Sequence, residues 1–395
     1  MSLPLGRGIS LRPAYLPELA EGLINNDKFL ADHLDWVELV PENFMERDGE
    51  FRRALSLIAE AYPITLHSVS ISIGSIDPLD WEFLGKVKTL VDFVKPKWVT
   101  DHISYSSVNG FQFNDLIPLP FSRAAARHVA ERAKQVQDFL GVPFGLENPS
   151  YYKVMPGAEM SEAEFISEIV AASGCRMLLD VNNVYVNAYN HTNTPLESAR
   201  EYLRQLPLNN VVEVHLAGHD PMELAGRPML LDTHGAPVPK PVRALLKELN
   251  QLIPVETILL EREGNIPPLV EIIAEVAAIW DELRNSSATV TETLDYAPHI
   301  LSSVPHGRTD ERHVLPYVSH GPTEISESPI LDLSLDKIPA SDTLYDAATV
   351  QRAASTLRSS PSKSASPKAS VAKSTSPISN SPISSSSNAR KEARQ

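Results

Sequence analysis

A single cysteine, Cys175, stands in 395 residues. That count excludes an internal disulfide framework and any thiolate metal cage, and it agrees with a reducing compartment. Nor does any apolar run approach the ~18 residues that cross a bilayer. The N-terminus MSLPLGRGISLRPAY lacks the basic-then-apolar layout of a secretory signal, so a cytoplasmic protein with no membrane association is expected. No GxGxxG and no P-loop follow an apolar run, which removes the usual glycine-rich nucleotide turns. Positive charge is scarce as well. The formal net charge is −15, and because the tail 355–395 holds seven Lys/Arg against one Glu, residues 1–354 carry −21. A surface that acidic repels phosphates, so no nucleic-acid partner is expected.

What is present suffices for a large core, with 43% hydrophobic residues. Up to about residue 285, short β-branched or apolar runs alternate with longer segments of helical spacing, the pattern of β-α units around a parallel sheet. The candidate strands are RGISLR (7–12), DWVELV (35–40), PITLHSV (63–69), WVTDHIS (98–104), PFGLENP (143–149), RMLLDVN (176–182), VVEVHLA (211–217) and TILLER (257–262). Helices are expected over roughly 14–32, 50–61, 80–94, 122–140, 161–173, 195–206, 239–252 and 267–284. Eight such units fit a closed (β/α)8 TIM barrel of the α/β class better than an open doubly wound sheet. The long connections 105–121 and 218–238 then lie over the barrel mouth. The catalytic domain is expected to span 1–285, followed by a loosely structured extension over 286–354 and a disordered basic Ser/Pro-rich tail over 355–395. The tail reads either as a tether or phosphorylation target or, more plainly, as a solvated extension without a specific role.

In a TIM barrel, chemistry is built at the C-terminal ends of strands. The third to eighth strands end at His67, His102, Glu147, Asp180, His215 and Glu261. Asp and Asn are common turn formers, but histidine is not, and six successive coincidences are a poor explanation. In LLDTHG, Asp232 and His234 lie one residue apart and point the same way from an extended segment. Asn183, three residues after Asp180, can turn its amide oxygen over the mouth. These nine imidazole, carboxylate and amide groups are too many for one ion and enough for two or three, with Glu147 as the natural bridge. Nitrogen and oxygen ligands without thiolate suit Fe, Mn or Zn. Cys175 lies five residues before Asp180, ~16 Å along a strand, and is read as no ligand. Arg12 and Glu42–Asn43 are placed to orient a substrate, and His219 or His191 to assist proton transfer or support a ligand. Glu38, Asp101 and Asn148 are less specific. An ion pair or loop hydrogen bond explains each of these equally well.

The runs WVELVPENFM, PITLHSVSISIGS, VTDHISYS, NDLIPLPF, LENPSYY, LLDVNNVYVNAYNH, EVHLAGH, LLDTHG and EREGNIP resemble, in order and spacing, the multinuclear non-haem iron-dependent oxidative enzymes, over about residues 7–284. That resemblance implies a TIM barrel of the xylose-isomerase-like superfamily with two or three irons of mixed valence and O2 as co-substrate. It implies a ribosomally made precursor peptide as substrate, often modified at cysteine, and a separate partner protein that recognises the peptide leader. All nine ligand-type positions match. The arrangement is more distantly similar to endonuclease IV-like barrels, which carry histidine where this chain has Asn183. The expected function is thus oxidative modification of a peptide residue, with iron and O2 producing the oxidant that removes hydrogen from the substrate's β-carbon. The alternatives are a redox-inert metal hydrolase or sugar isomerase, and a non-enzymatic metal-binding or interaction protein working through its tail.

Overall fold

The structure, a computed structural model, describes residues 4–294 apart from Ala225. The expected extension beyond 294 and the Ser/Pro-rich tail lie outside the described residues. Eight strands form the barrel: β1 (Gly6–Ser10), β2 (Trp36–Leu39), β3 (Ile64–His67), β4 (Val99–His102), β5 (Phe144–Glu147), β6 (Arg176–Asp180), β7 (Val211–Leu216) and β8 (Thr257–Leu260). Each pairs in parallel with its neighbours, and β8 returns to β1 to close the barrel. β2, β3, β4, β5 and β8 are buried at every position. Parallel strands covered on both faces need such near-continuous apolar runs.

The helices between strands start where the sequence offers caps. Asp80 accepts from Phe83 N–H, Ser122 from Ala125 N–H, and Ser161 and Glu164 cap reciprocally. Helix Lys240–Leu252 buries Val242, Leu245, Leu246 and Leu249, a stripe at helical spacing, with each side chain stabilising by roughly 1.5–3 kcal/mol. The last helix, Leu269–Leu294, runs past residue 285. Among the described residues no helix is long and apolar enough to cross a membrane.

Three local features depart from expectation. The helical segment 14–32 is two helices, Leu16–Ile24 and Lys28–His33, because Asp27 caps the second by accepting from Phe29 N–H. Residues Val181–His191, read as the end of a strand and a loop, form a helix that Asp180 caps. The long connections each fold into a hairpin, Ser104–Val108 with Phe111–Pro118 and Asp220–Leu224 with Arg227–Leu231. Gly218 lets the second connection fold back, since a Cβ there would lie 2.1 Å from the Ala236 carbonyl oxygen. That close approach brings the segment 232–237 against the barrel mouth.

The barrel interior is layered. Leu5, Trp36, Trp98, Val212 and Leu259 form a separate apolar cluster, drawn mostly from the beginnings of strands. Further along, the fully buried Glu38, Thr65, Thr100 and Glu213 make a polar layer. The histidines and carboxylates at the strand ends follow.

Candidate metal centre

His67, His102, Glu147 and Asp180 are the last residues of β3 to β6, His215 is the penultimate residue of β7, and Glu261 follows β8. The parallel register sets His102 beside Glu147 and Asp180 beside His215. All six are buried. The expected convergence of strand ends is therefore present, and two connections add to it: Asn183 from the first turn of the helix after β6, and Asp232 and His234 from the segment after the second hairpin.

Their donor atoms fall into linked groups. His67, His102 and Glu147 each bring a ligand atom within 4.8 Å of the others, as do Glu147, Asp180 and His215, and Asp180, His234 and Glu261. Glu147 belongs to two of these groups and so does Asp180. His67 Nε2 and His102 Nε2 lie 3.1 and 3.2 Å from Glu147 Oε2. His234 Nε2 is 2.7 Å from Asp232 Oδ1 and its Nδ1 is 3.4 Å from Glu261 Oε2. Outer partners hold several of these groups in place. Thr100 Oγ1 is 2.9 Å from His67 Nδ1, and the Asn183 amide nitrogen donates to Asn148 O at 3.1 Å and Glu147 Oε1 at 3.4 Å.

Among the described residues, Asp180 Oδ2 and Asn183 Oδ1 are buried with neither a hydrogen bond nor an ion pair, while Glu147 Oε2 and the His234 ring nitrogens meet only one another's kind within the cluster, imidazole against carboxylate. An unpaired buried polar atom costs roughly 1–3 kcal/mol. Cations bound among these atoms remove that cost, and an all-N/O donor set of two or three ligands per group with shared carboxylates suits adjacent metal ions. The residues therefore fit a metal centre. Its cavity holds about 650 Å³ and opens between the two connections, with Gln112, Asp115 and Ile117 of the first hairpin and Tyr151, Tyr152 and Lys153 after β5 as walls.

Electrostatics follow from burial and proximity. Burial pushes Asp180 well above the usual carboxylate range, with Glu147 and Asp232 adding to the push. Burial would depress His67, but the adjoining Glu147 and Glu38 outweigh it and raise it to about 10. Burial likewise opposes ionisation of Glu147, yet His102, His67 and His215 bring it down to about 2. His234 and Glu261 move apart in the same way, each charged form favoured by the other against its burial. Protonated imidazoles beside ionised carboxylates thus balance charge within the cluster.

The remaining candidate residues divide. His219 faces Asn182, its Nδ1 2.7 Å from Oδ1, and stacks on Tyr185; the Asn182 amide nitrogen donates to Asp232 Oδ1 at 2.7 Å. Arg12 is engaged by the end of β8, donating to Arg262 O and Glu263 Oε1 at 3.0 Å each. His191 is exposed, stacked on Tyr151 with Nε2 2.9 Å from its carbonyl oxygen. The helix 181–191 carries it about 15 Å from Asp180, and it does not line the cavity. Asn182 and Glu213 are the contributors that sequence reasoning passed over. Glu213 had a signal: two residues before His215 in a strand, it shares that residue's face.

The family described as RiPP precursor modification enzyme MbnB/TglH/ChrH matches residues 6–283. A protein named UPF0276 from Caulobacter vibrioides is 38% identical over 285 residues, covering 71% of this chain and 96% of its own length. One of the same name from Rhizorhabdus wittichii is 40% identical over 275 residues, covering 69% and 93%. Among solved structures, endonuclease IV from Thermus thermophilus is 18% identical at a TM-score of 0.45, covering 70% of this chain and 99% of its own.

Proposed function

The chain belongs to the RiPP precursor modification enzymes MbnB/TglH/ChrH, and we propose that it uses two or three iron ions and O2 to modify a residue, cysteine first, in a ribosomally made precursor peptide. The observation that carries this reading is the run of three ligand groups joined through the buried Glu147 and Asp180, with His67, His102, His234 and Glu261 of those groups lining an open cavity. Iron, when bound, supplies Lewis acidity and one-electron redox change. The chain supplies position.

His67, His102 and Glu147 hold one end of the centre, and Asp232, His234, Asn183 and Glu261 the other, with Asp180 and His215 between. Asn182 orients Asp232 and ties it to His219. Because the Asn182 amide nitrogen is committed to Asp232, its oxygen faces His219 Nδ1, which donates and leaves Nε2 as a proton acceptor. Burial lowers His219 below the usual imidazole value against the pull of Asp232 and Asp220, which keeps it neutral near pH 7. Arg12 braces Glu263 and, at 3.9 Å, Glu261. The peptide enters between the hairpin Ser104–Pro118 and the loop 149–155, and a separate protein recognises its leader.

The test is anaerobic purification, metal analysis and Mössbauer spectroscopy, then exposure to O2 with a cysteine-bearing peptide encoded beside the gene. Iron in at least two equivalents and O2-dependent change in peptide mass support the reading. A site that loads only zinc and ignores O2 replaces it with a metal hydrolase or isomerase.

A further inference from the structure

Beneath the strand-end ligands, two carboxylates meet one imidazole edge. Glu38 of β2 and Glu213 of β7 are 0% exposed, as is His215. Among the described residues their ion pairs run to His215 alone: Nε2 is 3.2 Å from Glu213 Oε1 and 3.5 Å from Glu38 Oε1. Each carboxylate is fixed from behind. Trp98 Nε1 donates to Glu213 Oε2 at 2.6 Å, and Thr65 Oγ1 to Glu38 Oε2 at 3.3 Å. The opposite ring nitrogen, His215 Nδ1, faces the ligand cluster, 3.2 Å from Glu261 Oε2.

A neutral imidazole carries one N–H, and the acceptor opposite it decides which nitrogen bears the proton. We propose that Glu213, with Glu38 behind it, is a positioning pair that keeps the His215 proton on Nε2 and presents the Nδ1 lone pair to the metal centre. His67 is held the other way round, with Nδ1 on Thr100 Oγ1 and Nε2 toward Glu147. A carboxylate behind a ligating imidazole also raises its basicity. The inference rests on His215 as a metal ligand and not on peptide oxidation.

Glu213→Gln reads the proposal directly. Trp98 still donates to the outer position of residue 213, so the amide oxygen turns toward the indole and the NH2 group faces His215. Nε2 then meets an N–H donor in place of its nearer carboxylate, with only Glu38 at 3.5 Å left to accept from it, so the balance shifts toward the proton on Nδ1 and the ligand lone pair is lost in that tautomer. Zinc(II) alone, titrated against a chelator into full-length protein well below the variant's own metal-free melting temperature, is expected to bind about 10–100-fold more weakly in one equivalent. Trp98→Phe in the Glu213→Gln background frees the amide to turn round and restores part of that affinity, a rescue that a merely structural role does not produce. If Glu213→Gln fails to fold, Glu38→Gln reads the same nitrogen and is expected to weaken the same equivalent. Equal zinc affinities in wild type and variant overturn the proposal, as does a wild-type chain that takes up no metal. Weaker zinc binding in a protein that never consumes O2 upholds it and overturns the proposed function instead.

Discussion

Asp180 Oδ1 accepts the Asn183 backbone N–H at 2.6 Å, while Oδ2 of the same carboxylate has no hydrogen-bond partner among the described residues. One side chain thus starts the helix 181–191 with one oxygen and faces the ligand groups with the other. Asp180→Asn keeps a cap-competent side chain and removes the bridging charge; Asp180→Ala removes both. Because burial and Glu147 disfavour ionised Asp180 without metal, the metal-free Asn variant is expected to melt near wild type, and the Ala variant to lose about 1 kcal/mol. Both are expected to lose at least one metal equivalent by plasma mass spectrometry. Full metal content in Asp180→Asn would remove this residue from the centre.

The His67–Glu147 pair gives the metal-free protein a pH signature. His67, raised from 6.5 to about 10, contributes stability that is complete below about pH 6.5 and fades as pH rises through about 10. Glu147, lowered from 4.5 to about 2, contributes stability complete above about pH 4.5 that fades as pH falls through about 2. The denaturation-midpoint difference between wild type and Glu147→Gln, both treated with chelator, is therefore expected to be greatest between pH 4.5 and 6.5 and to shrink on either side. Metal loading displaces these protons, so uptake is expected to release protons and to tighten with rising pH. A difference unchanged up to about pH 10 would count against the pairing.

Gly218→Ala tests how the mouth is assembled. The added Cβ meets the Ala236 carbonyl oxygen, a backbone atom that cannot swing aside, so the segment bearing Asp232 and His234 has to move. Overpacking of this kind costs about 1–3 kcal/mol. The variant is expected to lose the equivalent held by Asp180, His234 and Glu261 while keeping the one held by His67, His102 and Glu147. Parallel loss of every equivalent would show that the groups are not independent.

Every ligand candidate among the described residues lies between residues 38 and 261. A chain ending at Leu294, where the described helix stops, is expected to match the full-length protein in metal content and in peptide turnover. Loss of either would assign the segment 295–395 a working part.

Much of this is legible because a TIM barrel converts sequence order into angular order: an apolar run ending in His, Asp or Glu is a rim position. His67, His102, Glu147, Asp180, His215 and Glu261 can be read that way. The helix 181–191 cannot, since VNNVYVNAYNH mixes asparagines and β-branched residues of modest helix propensity. Its start depends on the Asp180 cap, and its inner side buries Asn182, Asn183, Asn187 and Asn190. Without that helix His191 falls near the rim, whereas the helix rise carries it away. Arg12 escapes the sequence for another reason. Its partners Glu261 and Glu263 are some 250 residues distant, brought alongside only because β8 closes on β1.

The left-handed backbone at His234, φ 48°, sets its group apart. The other two groups draw on strand residues alone, each strand locked between neighbours, whereas this one borrows a ligand from a connecting segment held in a conformation that non-glycine residues rarely adopt. Such a ligand relaxes away more readily than one welded into a sheet. If the groups hold cations, the centre is expected to empty in order under a chelator, the cation beside His234 first and the one beside His67 last, so that a partly depleted preparation is a sequence of defined species and not a random mixture.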